Sequence, residues 1–245
     1  MTPLEVVLLV LGGGAAGFIN ALAGGGSAIT IPILNEMVGI NTANGTNRIA
    51  ILAANLSAIA GFQQGKAIPW RRVVPLLVPT VIGAAFGAWV ATQTSADVMR
   101  KVFAGVLLLV AASVVARPAR WVEERDEALH EPWRTLVFLA VGFYGGFVQA
   151  GVGFLLLAGL VLGGGLNLVN GNAAKVVLIA AYTPLTLLLF ARAAQVDWAV
   201  GAVLAGGQMT GAWIAARLAV SKGADWVRWI LVAAAVVAAI RLALT

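Results

Sequence analysis

Two cations stand inside apolar sequence: Arg48, closing Asn44-Gly-Thr-Asn-Arg, and Lys175, closing Asn170-Gly-Asn-Ala-Ala-Lys. A cation at membrane depth is costly unless it serves a pathway or snorkels to water. A matched pair would draw a small anion towards the protein from both sides. Upstream of each cation lies a glycine cluster, Gly24-Gly25-Gly26 in one case and Gly151-Val152-Gly153 in the other. A helix broken inside a membrane presents bare N–H groups and the positive end of its dipole, which together can hold an anion. Beside the breaks stand Asn20, Ser27, Thr30 and Gln149, neutral donors able to bind an oxyanion and to release it. Each of these residues also has a purely structural use. Glycines let helices approach closely, an intramembrane amide ties neighbouring helices together, and a hydroxyl can bond the preceding turn. Asn44 and Asn170 read as N-caps, and Asn47 and Asn172 complete the two motifs as secondary candidates.

Other chemistry is poorly supplied. Of the ten acidic residues, only Glu36 lies near an apolar segment away from evident loops, so a carboxylate proton relay has little to build on. Cysteine is absent, the single histidine is His130 in a polar stretch, and neither a phosphate-binding loop nor a His/Cys/Asp cluster is present. The expectation is therefore no enzyme, no metal and no cofactor. The net charge of +6 sits at segment ends beside Trp70, Trp121, Trp133, Trp198 and Trp226, a pattern of interfacial anchoring rather than nucleic-acid binding.

The elements that must position these residues are membrane helices. Of the 245 residues 61% are hydrophobic and 11% charged, and the mean hydropathy is +0.95, well outside the range of soluble domains. Apolar segments fall at about 4–23, 27–39, 47–63, 73–92, 98–116, 134–148, 151–166, 173–191, 198–217 and 225–244. The first lacks the basic start of a cleaved signal and reads as a retained helix. The second and seventh are short and glycine-fronted, so the count is ten or, with both as re-entrant pieces, eight. Gly17 to Gly26, Asn44 to Arg48 and Gly87-Ala-Trp89 recur as Gly142 to Gly153, Asn170 to Lys175 and Gly211-Ala-Trp213. A duplicated apolar chain with matched breaks has the form of a secondary transporter whose site lies between its repeats. The expected architecture is all-α and polytopic: an N-terminal repeat at 1–116, a charged cytoplasmic linker at 117–133 and a C-terminal repeat at 134–245, about five segments each. An odd count inverts the second repeat. The loop cations agree, because Lys66, Arg71, Arg72, Arg117, Arg120, Arg125, Arg134, Arg217, Lys222 and Arg228 fall on one side. Only Arg100, Lys101, Arg192 and Arg241 fall on the other.

Gly-Phe-Ile-Asn-Ala-Leu-Ala-Gly-Gly-Gly-Ser at 17–27, Ile-Pro-Ile-Leu at 31–34 and the Asn-Gly-Thr-Asn start, echoed in the second half, resemble the TauE/SafE family of membrane permeases. The resemblance implies transport of a small sulfur-containing anion, such as sulfite or an organosulfonate, commonly outward across the bacterial inner membrane. Substrate binding would then involve Asn20, Gly24, Gly25, Gly26, Ser27, Arg48, Gln149, Gly151, Gly153 and Lys175. The partners are the lipid bilayer and that anion, with a homo-oligomer left open. An anion channel, an uptake permease for another organic anion and a non-transporting assembly subunit are the competing readings.

Overall fold

The computed structural model describes residues 1–116 and 130–244, and among them every regular element is a helix. In chain order these are α1 (Pro3–Leu22), α2 (Ser27–Val38), α3 (Ile40–Gln64), α4 (Trp70–Gln93), α5 (Ala96–Ala116), α6 (Trp133–Phe147), α7 (Val152–Leu162), α8 (Leu168–Arg192) and α9 (Trp198–Leu244). Most of the charged linker expected at 117–133 lies outside the described residues. Among the described residues, four helical segments are long and apolar enough to cross a membrane: Pro3–Leu22, Trp70–Gln93, Leu168–Arg192 and Trp198–Gly223.

Local chemistry sets the boundaries. Thr2 and Glu5 close a capping box over α1, with Pro3 in its first turn. Gly39, at φ 76°, ends α2 and starts α3. The two segments expected at 198–217 and 225–244 form one element interrupted at Gly223, whose φ of 80° and ψ of −174° are not helical. Asn44 and Asn170 do not cap, because both helices begin earlier than the apolar pattern suggests. Asn44 lies inside α3, and the cap of α8 is Asn167, whose Oδ1 accepts the Asn170 N–H at 2.8 Å. In α3 the opening polar residues Asn44 and Asn47 are buried and bonded to other elements, and in α8 Asn167 and Asn172 bond within their own helix, so apolar periodicity could not find those starts.

The short helices fold back. Ile33 of α2 reaches Gly12 and Gly26 packs against Ala16 and Asn20, so α2 runs antiparallel to α1. In the same way Val152 meets Gly145, while Phe138 meets Gly159, and α7 runs antiparallel to α6. Each break is thus the tip of a helical hairpin.

The remaining directions follow from small-residue contacts. Gly13 faces Leu204 and Gly17 faces Gln208, making α1 parallel to the first arm of α9. Gly83 faces Leu139 and Gly87 faces Phe143, making α4 parallel to α6. At these glycines a methyl would meet a facing backbone carbonyl, the usual reason for small residues where apolar helices cross. Helix α3 runs with α9, since Ile49 meets Gly201 and Ser57 Oγ donates to Met209 O at 3.0 Å. It opposes α8, since Gly45 meets Phe190 while Arg48 reaches Thr186. One end of the molecule gathers the start of α3 and the ends of α4 and α8, through Asn41 Nδ2 to Thr94 O at 3.0 Å and Gln195 Nε2 to Thr92 O at 3.3 Å. The other gathers the start of α4 and the turn after α7, through Arg72 Nη1 to Gly164 O at 2.9 Å.

This arrangement puts Gln64, Arg71, Arg72 and Arg134 at one end and Ser95, Arg100 and Lys101 at the other. In the cysteine-free chain, single cysteines at Gln64 and Glu131 are expected to react with an impermeant maleimide from one face of the membrane. A cysteine at Ser95 should react from the opposite face, and a common accessibility for all three would refute the arrangement.

Candidate anion site at the hairpin tips

The two tips touch. A Cβ on Gly24 would overlap the backbone of Gly153, and one on Gly153 would overlap Gly24, so the breaks cross backbone to backbone. At the first tip Gly24 takes φ +85°, a left-handed value that suits glycine. At the second, Gly151 has φ 76° and Gln149 φ 66°. A non-glycine residue in that region is strained by about 1–3 kcal/mol. The Gln149 side chain is held in place, accepting at Oε1 from Arg48 at 3.2 Å and from Tyr182 at 3.3 Å, and Tyr144 Oη donates to Ala150 O in the same turn.

Arg48 is fully buried, not at a mouth. Its Nη1 donates to Thr186 Oγ1 at 3.0 Å and Gly145 O at 3.5 Å, besides Gln149; its Nη2 donates to Gly146 O and to Asn44 Oδ1 at 3.4 Å. The guanidinium carbon stands 4.4 Å from the centroid of the Phe190 ring. Asn44 Nδ2 donates to Phe147 O at 2.8 Å. A residue pair from the first half of the chain therefore closes the C-terminal end of α6, where free carbonyls and the negative end of the dipole favour a cation.

Lys175 does the same for α1. It too is fully buried, and its Nζ donates to Asn20 O at 2.9 Å, Ala21 O at 3.0 Å and Asn172 Oδ1 at 2.6 Å. Three acceptors match the three protons of an ammonium. Each half supplies the cation that closes the broken helix of the other.

Neither cation has a carboxylate partner: among the described residues the ion pairs are Arg100–Asp97 and Arg134–Glu131, both on the surface. Each centre also leaves one buried donor without an acceptor, Nε–H at Arg48 and Nδ2–H at Asn172. The buried side-chain amide of Asn20 makes no hydrogen bond to any described residue. The site is thus rich in donors and positive charge and poor in acceptors.

Not every candidate joins it. Ser27 and Thr30 are bound to Asn47, whose Nδ2 donates to Ser27 Oγ at 3.1 Å and whose Oδ1 accepts from Thr30 Oγ1 at 2.8 Å. That trio fastens α2 to α3, where a bond to the preceding turn was the structural expectation. Gly25 packs on Phe154 and Gly26 on Ala16, both at the first tip. Asn170 is half-buried in the first turn of α8. Glu36 is exposed near the end of α2, sharing a surface cavity with Glu5 and Asp197, away from the tips. Sequence reasoning missed Tyr144, Tyr182, Thr186 and Phe190, which hold the second tip and Arg48. A signal existed for Tyr144 alone, as the aromatic within Gly142-Phe-Tyr-Gly-Gly. It also missed Gln208, a fully buried amide on α9 with both polar atoms unpartnered.

The family model for "Sulfite exporter TauE/SafE" matches residues 9–242. The chain belongs to the TauE/SafE family. Among its relatives, "Probable membrane transporter protein YfcA" of Escherichia coli (strain K12) is 30% identical over 235 residues, covering 95% of this chain and 87% of that protein. A "Probable membrane transporter protein" of Haemophilus influenzae is 29% identical over 226 residues, covering 91% and 88%. "Probable membrane transporter protein ORF9" of a Sinorhizobium species is 28% identical over 230 residues, covering 93% and 88%. No solved structure matches. This TauE/SafE chain is thus a member of a membrane transporter family.

Proposed function

We propose that this protein carries a small sulfur oxyanion or organosulfonate across the bacterial inner membrane as a secondary carrier, exporting it, with the anion bound beside the crossing of the two tips. The observation that carries this reading is the pair of fully buried cations without carboxylate partners, each with an orphan N–H donor beside it. Buried charge without a counterion is costly, and an entering anion supplies both the missing charge and the missing acceptors. Asn20, Gly24, Gly151 and Gly153 complete the binding surface, with Gln149 held by Arg48. The family description, which speaks of sulfite export, supports the substrate class.

Alternating access by two inverted repeats fits the helix directions. Helix α1 opposes α6, α3 opposes α8, and α4 opposes the first arm of α9, directions that support an inverted second repeat. The end bearing Arg71, Arg72 and Arg134 is assigned to the cytoplasm by the excess of cations there, and the linker at 117–133 lies on that side.

The test is a proteoliposome flux screen over sulfite, sulfate, thiosulfate, sulfoacetate and acetate, with and without a pH gradient. Saturable flux of one or more of the sulfur anions, above acetate, is the expected result. Correctly inserted protein that moves none of them would overturn the assignment.

A further inference from the structure

At the end of the molecule where α4 and α6 begin, a cavity of about 340 Å³ opens between those two helices and the turn that follows α7. Arg71, Arg72 and Arg134 line its mouth, and no carboxylate is among its lining residues. Two of the three guanidiniums are already steered. Arg72 Nη1 donates to Gly164 O at 2.9 Å and Gly165 O at 3.1 Å, which leaves its other N–H groups directed elsewhere. Arg134 pairs with Glu131 at 2.7 Å on the surface, a contact of small worth in water. Arg71 makes no hydrogen bond or ion pair with any described residue.

The level of this cavity is marked by two tryptophans. Trp70 directly precedes Arg71 and Trp133 directly precedes Arg134, and they are 45% and 65% exposed. Exposed indoles of this kind sit at the headgroup layer of a bilayer. Along the same two helices, beyond the arginines, Val74, Val78 and Leu136 form exposed apolar faces.

The fold does not dictate the charge. At the opposite end, the corresponding cavity between α1, α2 and the start of α9 is lined by Glu5, Glu36 and Asp197. The two matching cavities thus differ in charge, basic at one end and acidic at the other.

We propose that the α4–α6–α7 cavity binds the phosphodiester headgroup of an anionic phospholipid, with the three arginines on the phosphate and the acyl chains along Val74, Val78 and Leu136. A soluble phosphate or sulfate shares the headgroup chemistry, but neither the indoles nor the apolar faces give it anything to bind. This site is independent of what the tips carry.

The experiment is native mass spectrometry of the purified full chain, equilibrated with mixed micelles of phosphatidylglycerol and phosphatidylcholine. The wild type is expected to retain phosphatidylglycerol in preference, and an Arg71→Gln/Arg72→Gln/Arg134→Gln variant to lose roughly a hundredfold in that preference, since each cation near an anionic lipid contributes appreciably. Arg71→Gln alone, which breaks no internal contact, should lose about fivefold and guards against a folding defect in the triple variant. An Arg100→Gln/Lys101→Gln variant at the opposite end should match the wild type. Inorganic phosphate at about 10 mM should leave the lipid bound; full displacement would make this a free-anion site and overturn the proposal. So would equal retention of the two lipids by the wild type, or an unchanged preference in the Arg71 and triple variants.

Discussion

Replacing Arg48 with glutamine is expected to cut anion flux in proteoliposomes at least a hundredfold. Its guanidinium serves acceptors on α3, α6, the second tip and α8 at once. Removing it strands the Gly145 and Gly146 carbonyls in a buried site and leaves Gln149 Oε1 to Tyr182 alone. Each stranded acceptor costs about 1–3 kcal/mol, and a hundredfold change needs only about 2.7 kcal/mol. Arg48→Lys separates charge from shape. From the sequence alone, a cation acting through its field predicts that lysine keeps most of the activity. The geometry predicts otherwise, because an ammonium has three donors and cannot span the fork that the guanidinium fills, so roughly a tenfold loss is expected. Initial rates against anion concentration, normalised to inserted protein, decide both points. Unchanged half-saturation and maximal flux in Arg48→Gln would remove this residue from the site.

The second large effect is steric. Gly153→Ala and Gly24→Ala each place a methyl inside the other tip's backbone, and overpacking of this kind costs about 1–3 kcal/mol or more. Gly24→Ala adds left-handed strain at φ +85°, about 1–2 kcal/mol. At roughly 2–4 °C per kcal/mol for a chain of this size, Gly24→Ala should lower the detergent melting temperature by about 10 °C and abolish flux. Gly105→Ala is the control, since nothing lies within 4 Å of a Cβ there. Normal melting and transport in Gly153→Ala would show that the tips do not meet in the working protein.

How far these residues could be read from the sequence depended on the kind of signal. Glycine breaks and matched motifs are written in the residue order itself, so the positions of the two breaks and the two cations were legible in the sequence. The fold-back of α2 and α7 was not decided there, because a short apolar helix after a glycine break can either continue across or return. The contacts of Ile33 with Gly12 and of Phe138 with Gly159, which decide it, bring together residues far apart in the chain. Burial of Arg48 and Lys175 was hidden for a related reason. Position a few residues into an apolar run suggests a charge that reaches water, yet α3 and α8 start well before their apolar runs. Polar residues such as Asn44, Asn47 and Asn172 open those helices; the partners of Asn44 and Asn47 lie on other elements, and Asn172 serves the buried Lys175 of its own helix. Tyr182 and Thr186 carried no pattern of their own, since an isolated aromatic or hydroxyl on an apolar helix is indistinguishable from ordinary packing.

The exchange of closing cations between halves sets a timetable for biosynthesis. The Asn20 carbonyl waits for Lys175, 155 residues later, and at about 5–20 residues per second that interval is about eight to thirty seconds of translation. Throughout it, the first hairpin leaves the ribosome with its inner carbonyls unanswered, in surroundings that offer them little water. A nascent chain in that condition has to be sheltered by the insertion machinery or kept near the aqueous boundary until α8 emerges. Neither half can mature as a separate piece, and a chain truncated before Lys175 should be a substrate for membrane quality control rather than a half-sized carrier.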